Sequence, residues 1–203
     1  MDRLDDLFGT ARPMLDRVDQ MLSVVGAPGE HRVWGELRRV RLLPGDAVRA
    51  VAALRPAALG EAGPEIRAEA RACVEIAAGL PPPEEWTGEA AEAYDEARHR
   101  MAAQLSGGNE SLDERMEATA DLAEALREWM RQTRDDLARA LAEALGSNEA
   151  AALTVTGGMP PGEADILGAA DIAASLLRVV ADNYAYAGEL IRGSADLTVA
   201  LPM

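Results

Sequence analysis

Two histidines, one cysteine and thirty-five carboxylates are the side chains of this sequence best suited to proton transfer, nucleophilic attack or metal ligation. His31 and His99 lie far apart, and neither has a second histidine or a cysteine one helical turn away, the spacing a zinc site on a helix needs. Cys73 is single, which excludes an intramolecular disulfide, and it falls on an apolar stripe, where a small buried hydrophobe is expected rather than a reactive thiol. Glu84-Glu85, Asp95-Glu96 and Asp135-Asp136 have the form of acid/base pairs. Arginines one turn from many of these carboxylates instead give the pattern of a solvated helix face. There is no His-Glu-x-x-His, no paired cysteine, no phosphate-cradling glycine loop and no Gly-x-Ser-x-Gly elbow. The expectation is no catalytic residue, no metal and no cofactor.

Charge points the same way. The formal net charge is -15 and the pI about 4.5, so phosphate is repelled and nucleic acid is excluded as a general partner. The local exception is a basic stretch around Trp34, with Arg32, Arg38, Arg39 and Arg41. Its arginines are expected mainly to pair with acidic faces of the same chain, while Trp34, Arg38, Arg39 and Arg41 are candidates for contact with a protein partner. Tyr186 lies off the apolar stripe of its segment and joins them; Tyr184 lies on that stripe and reads as core.

The elements that position these residues are helices. Leu4, Phe8, Ala11, Leu15, Val18, Leu22 and Val25 recur by fours and threes, one stripe of an amphipathic helix. Pro13 predicts a kink or a restart within it, and Gly26 with Pro28 ends it. A short helix falls between His31 and Arg41, stopped by Pro44-Gly45. Asp46 is the expected N-cap of a second long segment towards Leu80, striped by Ala47, Val51, Leu54, Ala58, Ala62, Ile66, Ala70, Cys73 and Ala77 and broken near Gly60 to Pro64. Three prolines, 81–83, force an extended strap. Thr87 is the expected cap of a helix from Gly88 to Leu105 packed through Ala90, Tyr94, Ala97, Met101 and Leu105. Ser111-Leu112-Asp113-Glu114 is a capping box opening a helix to about Leu145, roughly 50 Å at 1.5 Å per residue. Leu153 to Gly162 reads as a loop, and a last helix runs from Glu163 to Gly193 with a loose tail after it.

The fold expected is therefore all-α, an elongated helical bundle. Hydrophobic residues make up 48% of the chain and aromatics only 3%, so alanine-lined helices lie close without a thick core. All basic residues are arginine, which with the Ala and Gly bias points to GC-rich coding. No apolar run reaches the roughly 18 residues of a membrane span. The first residues lack the basic and apolar regions of a classical signal peptide. Synthesis in the cytoplasm is expected.

One segment is specific: Trp86-Thr87-Gly88-Glu89-Ala90-Ala91-Glu92-Ala93-Tyr94. A tryptophan at a helix junction can anchor a turn, a glycine two residues on can take a left-handed conformation, and the alanines permit close helix packing. This segment resembles the WXG100 family, the ESAT-6-like helical proteins of type VII secretion, over residues 46–146. The resemblance implies an antiparallel helical hairpin turning at Trp86 and Gly88, no enzymatic activity, and export by a type VII route. The partners it implies are a second helical chain, a WXG-type subunit or a homodimer through helix faces, and a secretion ATPase. Family members are about half this length, so the N-terminal helix and basic connector (1–45) and the C-terminal helix with its tail (147–203) would be additions. The Tyr-x-x-x-Asp/Glu export signal of such systems has no match: Arg98 follows Tyr94 at the fourth position, Gly188 follows Tyr184 and Leu190 follows Tyr186. A cytosolic helical adaptor or chaperone-like binding module is the alternative, and an enzyme or ligand carrier with an alanine-lined cavity a third.

Overall fold

Eight α-helices and one 3₁₀ turn account for all the regular structure in a computed structural model, which describes residues 3–108, 110–155 and 161–196; no strand occurs among them. The helices are α1 (Arg3–Val24), α2 (Val33–Val40), α3 (Pro44–Ala52), α4 (Ala62–Gly79), α5 (Glu89–Leu105), α6 (Leu112–Leu145), α7 (Asn148–Val155) and α8 (Glu163–Asp196), with the 3₁₀ turn Pro56–Leu59 between α3 and α4. Two compact units result: Met1–Arg55 with Trp129–Ala187, and Pro56–Glu128 with Gly188–Met203.

The first unit holds the larger side chains of the core. The 3.6-residue period of α1 buries Leu4, Ala11, Leu15, Val18 and Leu22 as expected, with Met14 and Met21 widening the stripe. α1 runs unbroken through Pro13, so no restart occurs there. The carbonyl four residues back from this proline belongs to Gly9, where no neighbour crowds the helix. α3 packs on α1 and buries Ala47, Val48 and Val51. α8 contributes Ala169, Ala170, Ala173, Leu176, Leu177 and Val180, and α6 contributes Leu137, Ala138 and Leu141.

A polar layer sits between α6 and α8 within this unit. Trp129 Nε1 donates to the carbonyl of Asn183 at 2.7 Å, and the Thr133 hydroxyl donates to Asn183 Oδ1 at 3.1 Å. Asn183 Nδ2 in turn donates to Val179 O at 3.0 Å and reaches Asp136 at 3.5 Å. Every buried polar atom so engaged avoids the cost of a lost partner, which is what makes such a layer tolerable among leucines.

Several boundaries differ from expectation, each for a local reason. The break expected near Gly60 to Pro64 in the segment from Asp46 towards Leu80 begins earlier, after Ala52, and α4 opens at Ala62, because Pro56 has no N–H and pushes Arg55 out of the helical region. α3 starts at Pro44, not after an Asp46 cap: Pro occupies the first helical position, where its missing N–H costs nothing. Its free amide at Gly45 is capped from α1, by both Asp19 carboxylate oxygens at 3.1 Å. A Cβ at Gly45 would lie 2.5 Å from Asp19 Oδ2, so glycine permits the approach. Burial raises the Asp19 pKa above its usual value, against the opposing pull of the Gly45 amide.

The far end of α3 is also finished from outside. Arg134 of α6, only 5% exposed, donates through Nη1 to the carbonyls of Ala52 at 2.6 Å, Leu54 at 3.1 Å and Val51 at 3.3 Å. Its Nη2 lies 3.0 Å from Asp5 Oδ1 in α1.

In the second unit the caps also shift. Gly88, at φ 91°, is the N-cap of α5, and Thr87 supplies no side-chain cap, so the hydroxyl expected there is replaced by glycine's backbone freedom. At the head of α6 the Glu114 carboxylate reaches back to the amide of Glu110 at 3.0 Å. The Ser111 hydroxyl donates to Asp113 instead of accepting from the amide of Glu114, which Asp113 Oδ1 takes at 2.9 Å. Hydrogen bonds from Ser106 and then Ser111 hold the Asp113 pKa below its usual value. Residues expected as loop from Leu153 onward are partly helical: α7 extends to Val155 and buries Leu153. α8 continues past Gly193 to Asp196, and the tail beyond it lies outside the described residues.

Candidate functional site

α4 buries Gly63, Ala70 and Cys73, and α5 buries only Ala91, so the second unit closes its core with small side chains. Cys73 is a packed hydrophobe with its Sγ 4.0 Å from Met116 Sδ. Arg67 ties α4 to α6, contacting Asp121 at 2.5 Å, Glu117 at 3.2 Å and Glu124. These bonds, that to Glu124 first, raise the Arg67 pKa, and Arg67 lowers that of Glu124.

The face of α5 turned inward is Ala91, Asp95, Arg98, Ala102 and Leu105, one position away from the stripe expected to pack. Asp95 is engaged there by Arg98 at 2.7 Å. Of the expected stripe only Leu105 turns inward; Ala90 and Ala97 are exposed, Tyr94 is at the edge of exposure, and Met101 is 53% exposed. Val74 and Ile76 of α4 are exposed as well. An alanine-rich helix offers two stripes of similar apolarity.

Trp86 lies in the connection between α4 and α5, and it does not anchor a turn by burial: 63% of it is exposed. Its ring packs against Tyr94 instead, centroids 5.6 Å apart and tilted by 54°. The Tyr94 hydroxyl donates to Pro81 O at 2.9 Å. Prolines 81–83, Glu84, Glu85, Trp86 and Tyr94 line an open notch of about 380 Å³.

The other candidate contacts disperse. Trp34 is half-buried, with its Nε1 donating to Pro28 O at 3.0 Å, and it shares a shallow open cavity with Arg38. Arg32 pairs with Asp171 at 2.9 Å, and Arg39 with Asp182 at 2.7 Å and Glu36 at 2.9 Å, the self-pairing expected of this stretch. The Asp182 hydrogen bond chiefly raises the Arg39 pKa. Arg41 closes α2 in a left-handed conformation, its N–H donating to Leu37 O at 2.8 Å. Tyr186 is exposed on α8. Tyr184, expected in the core, is instead half-exposed: its ring meets Trp129 edge-on at 5.2 Å, and burial of its inner part raises the phenol pKa. It lines an apolar cavity of about 640 Å³ with Val40, Leu42, Ala47 and Val180, and Arg39 at the edge.

His31 accepts from the amide of Val33 at Nδ1, 3.2 Å away, and its Nε2 is 3.4 Å from Asp171, a structural position at the head of α2. Among the described residues no group of three or more His, Cys, Asp or Glu is placed to hold a metal ion. No helix among them is long and apolar enough to cross a membrane. Trp129, Arg134, Asn183 and Asp19 organise the first unit without having stood out in the sequence.

Comparison with protein-family models, with curated proteins and with solved structures finds no match to this chain.

Proposed function

We propose that this chain is a non-enzymatic helical binding module, an adaptor or chaperone-like protein that works through helix faces. The observation that carries this reading is the outward stripe of α5, with Met101 and Tyr94 exposed over a core of alanines. Exposed apolar side chains at helical spacing are what a partner helix or an extended apolar segment covers. Three of the acidic residues that resemble catalytic pairs are engaged with arginines: Asp95 with Arg98, Glu96 with Arg100 and Asp136 with Arg139.

Photo-crosslinking tests the proposal. With benzoylphenylalanine at position 101 of the full chain in its native host, a discrete adduct is expected, and none from position 92 on the charged side of α5. Equal labelling at both positions, or none at 101, refutes it.

A second reading is a WXG100-like component or substrate of type VII secretion. It is supported by Trp86 and Gly88 standing in the junction between α4 and α5, with Gly88 at φ 91°. Fractionation of the host with and without the secretion ATPase decides: ATPase-dependent release supports it, and retention in lysate with the system intact favours the adaptor.

A further inference from the structure

The notch at the α4–α5 junction combines three things that an ordinary interhelix turn does not need. The first is an aromatic pair left in solvent, Trp86 against Tyr94. The second is a rigid floor: prolines 81–83 fix their own φ angles, and the Tyr94 hydroxyl fastens the ring to the strap at Pro81 O, 2.9 Å away. The third is charge. Trp86 N–H donates to Pro83 O at 3.0 Å, closing a turn whose two corner residues are Glu84 and Glu85. Neither glutamate has an ion-pair partner among the described residues, and both line the notch beside the indole.

We infer that this notch is a receptor for an arginine side chain presented by a partner polypeptide. The inference rests on the binding-module reading and names one group the partner brings. An exposed indole and phenol offer negative π-faces, on which a guanidinium stacks while its N–H groups reach carboxylates at the edge. Glu84 and Glu85 supply that edge. The positive partial charge at the N-terminus of α5 would oppose a cation, but Glu89 and Glu92 in the first turn offset it. The chain's net charge of -15 draws basic segments towards it. The rings are already in contact with each other and the strap is already extended, so little ordering is needed on binding. A purely apolar guest would leave both carboxylates idle; an anionic one would be repelled by them.

The test uses the full chain labelled with 5-fluorotryptophan, whose three tryptophans give separate ¹⁹F signals, that of Trp86 assigned through Trp86→Phe. The probes are a blocked Gly-Arg-Gly peptide and its citrulline counterpart, which has the same shape and no charge. The arginine peptide is expected to move the Trp86 signal saturably in the millimolar range while Trp129 stays fixed, and the citrulline peptide to give no saturation. Glu84→Gln/Glu85→Gln, exposed substitutions that leave the fold intact, should weaken binding about fivefold, the scale of an exposed cation–π or ion-pair contribution. Tyr94→Phe, which releases the ring from Pro81, should weaken it too. Equal response to arginine and citrulline would make the notch an apolar contact and overturn the inference. So would an unmoved Trp86 signal at tens of millimolar, or unchanged affinity in the double glutamine variant. A crosslink from position 101 with an inert notch would sink this inference alone and leave the binding module standing.

Discussion

Arg134→Met should destabilise the first unit by about 3 kcal/mol, a figure set by which groups the guanidinium leaves behind. Removing one partner of a buried ion pair costs about 3–5 kcal/mol when the other is stranded. Here Asp5 is only partly buried and can rehydrate. The carbonyls are not all orphaned either. Arg55 Nη1 also donates to Ala52 O at 2.7 Å and Leu54 O at 3.1 Å, and the amide of Leu54 reaches Val51 O at 3.0 Å. The loss therefore falls at the lower end of that range, with methionine filling most of the vacated volume. Arg55→Ala alone, at an exposed position, should cost under about 1 kcal/mol. The double variant should exceed the sum by about 1 kcal/mol, since the last side-chain donors to the end of α3 are then gone. Urea denaturation followed by the ¹⁹F signal of Trp129 reads the unit that contains all these residues and avoids assuming one transition for the whole chain. A variant within about 0.5 kcal/mol of the parent, or an additive double variant, would refute the claim that Arg134 finishes α3.

Asn183→Leu should cost about 1–3 kcal/mol, because the fully buried Thr133 hydroxyl loses its acceptor, while the Trp129 bond to the backbone carbonyl of residue 183 is untouched; the same urea series measures it. Gly88→Ala should cost about 1 kcal/mol through backbone strain alone, since a Cβ there meets nothing within 4 Å while φ is 91°; Gly79→Ala, at the last residue of α4 and equally open, should be neutral or slightly stabilising in the same thermal melts. Asp19→Asn tests the raised pKa. A carboxyl that titrates higher in the folded chain than its usual 3.8 keeps its proton longer when folded, so its contribution to stability falls as pH rises through that window. The variant should gain on the parent between pH 3.8 and the raised value and run parallel above it, as melts across acidic pH would record.

The all-helical fold was legible because the strongest stripes are local and repeat by threes and fours. Ala170, Ala173, Leu177 and Val180 of α8 are buried where the period puts them. α5 was misread by one position because Ala91 and Ala102 compete with Ala90, Ala97 and Met101, and hydrophobicity alone does not separate two alanine stripes. Tyr184 shows the opposite limit: its register is right, but α2 and α3 leave a cavity over it, so half of the ring stays in solvent. The exposure of the Trp86 indole was not legible, because it depends on what packs around the connection rather than on the tripeptide itself. The residues that organise the first unit, Asp19 on Gly45, Arg134 on α3 and Asn183 on Thr133, join segments distant in sequence through polar contacts. Periodicity carries no information about such pairs.

α3 has consequences for the order of events in folding. A helix of 9 residues is well below the roughly 12–15 at which an isolated helix becomes even marginal in water. Its positive end is met by a carboxylate of α1 and its negative end by a guanidinium of α6, so both halves of its dipole are neutralised by chain that lies elsewhere in the sequence. α3 thus has little reason to form before α1 and the second half of α6 have come together. It is a late element: substitutions on its exposed side should speed unfolding and leave the folding rate nearly unchanged. Its amides should also be the first in the unit to exchange with solvent, although Val48 and Val51 are completely buried.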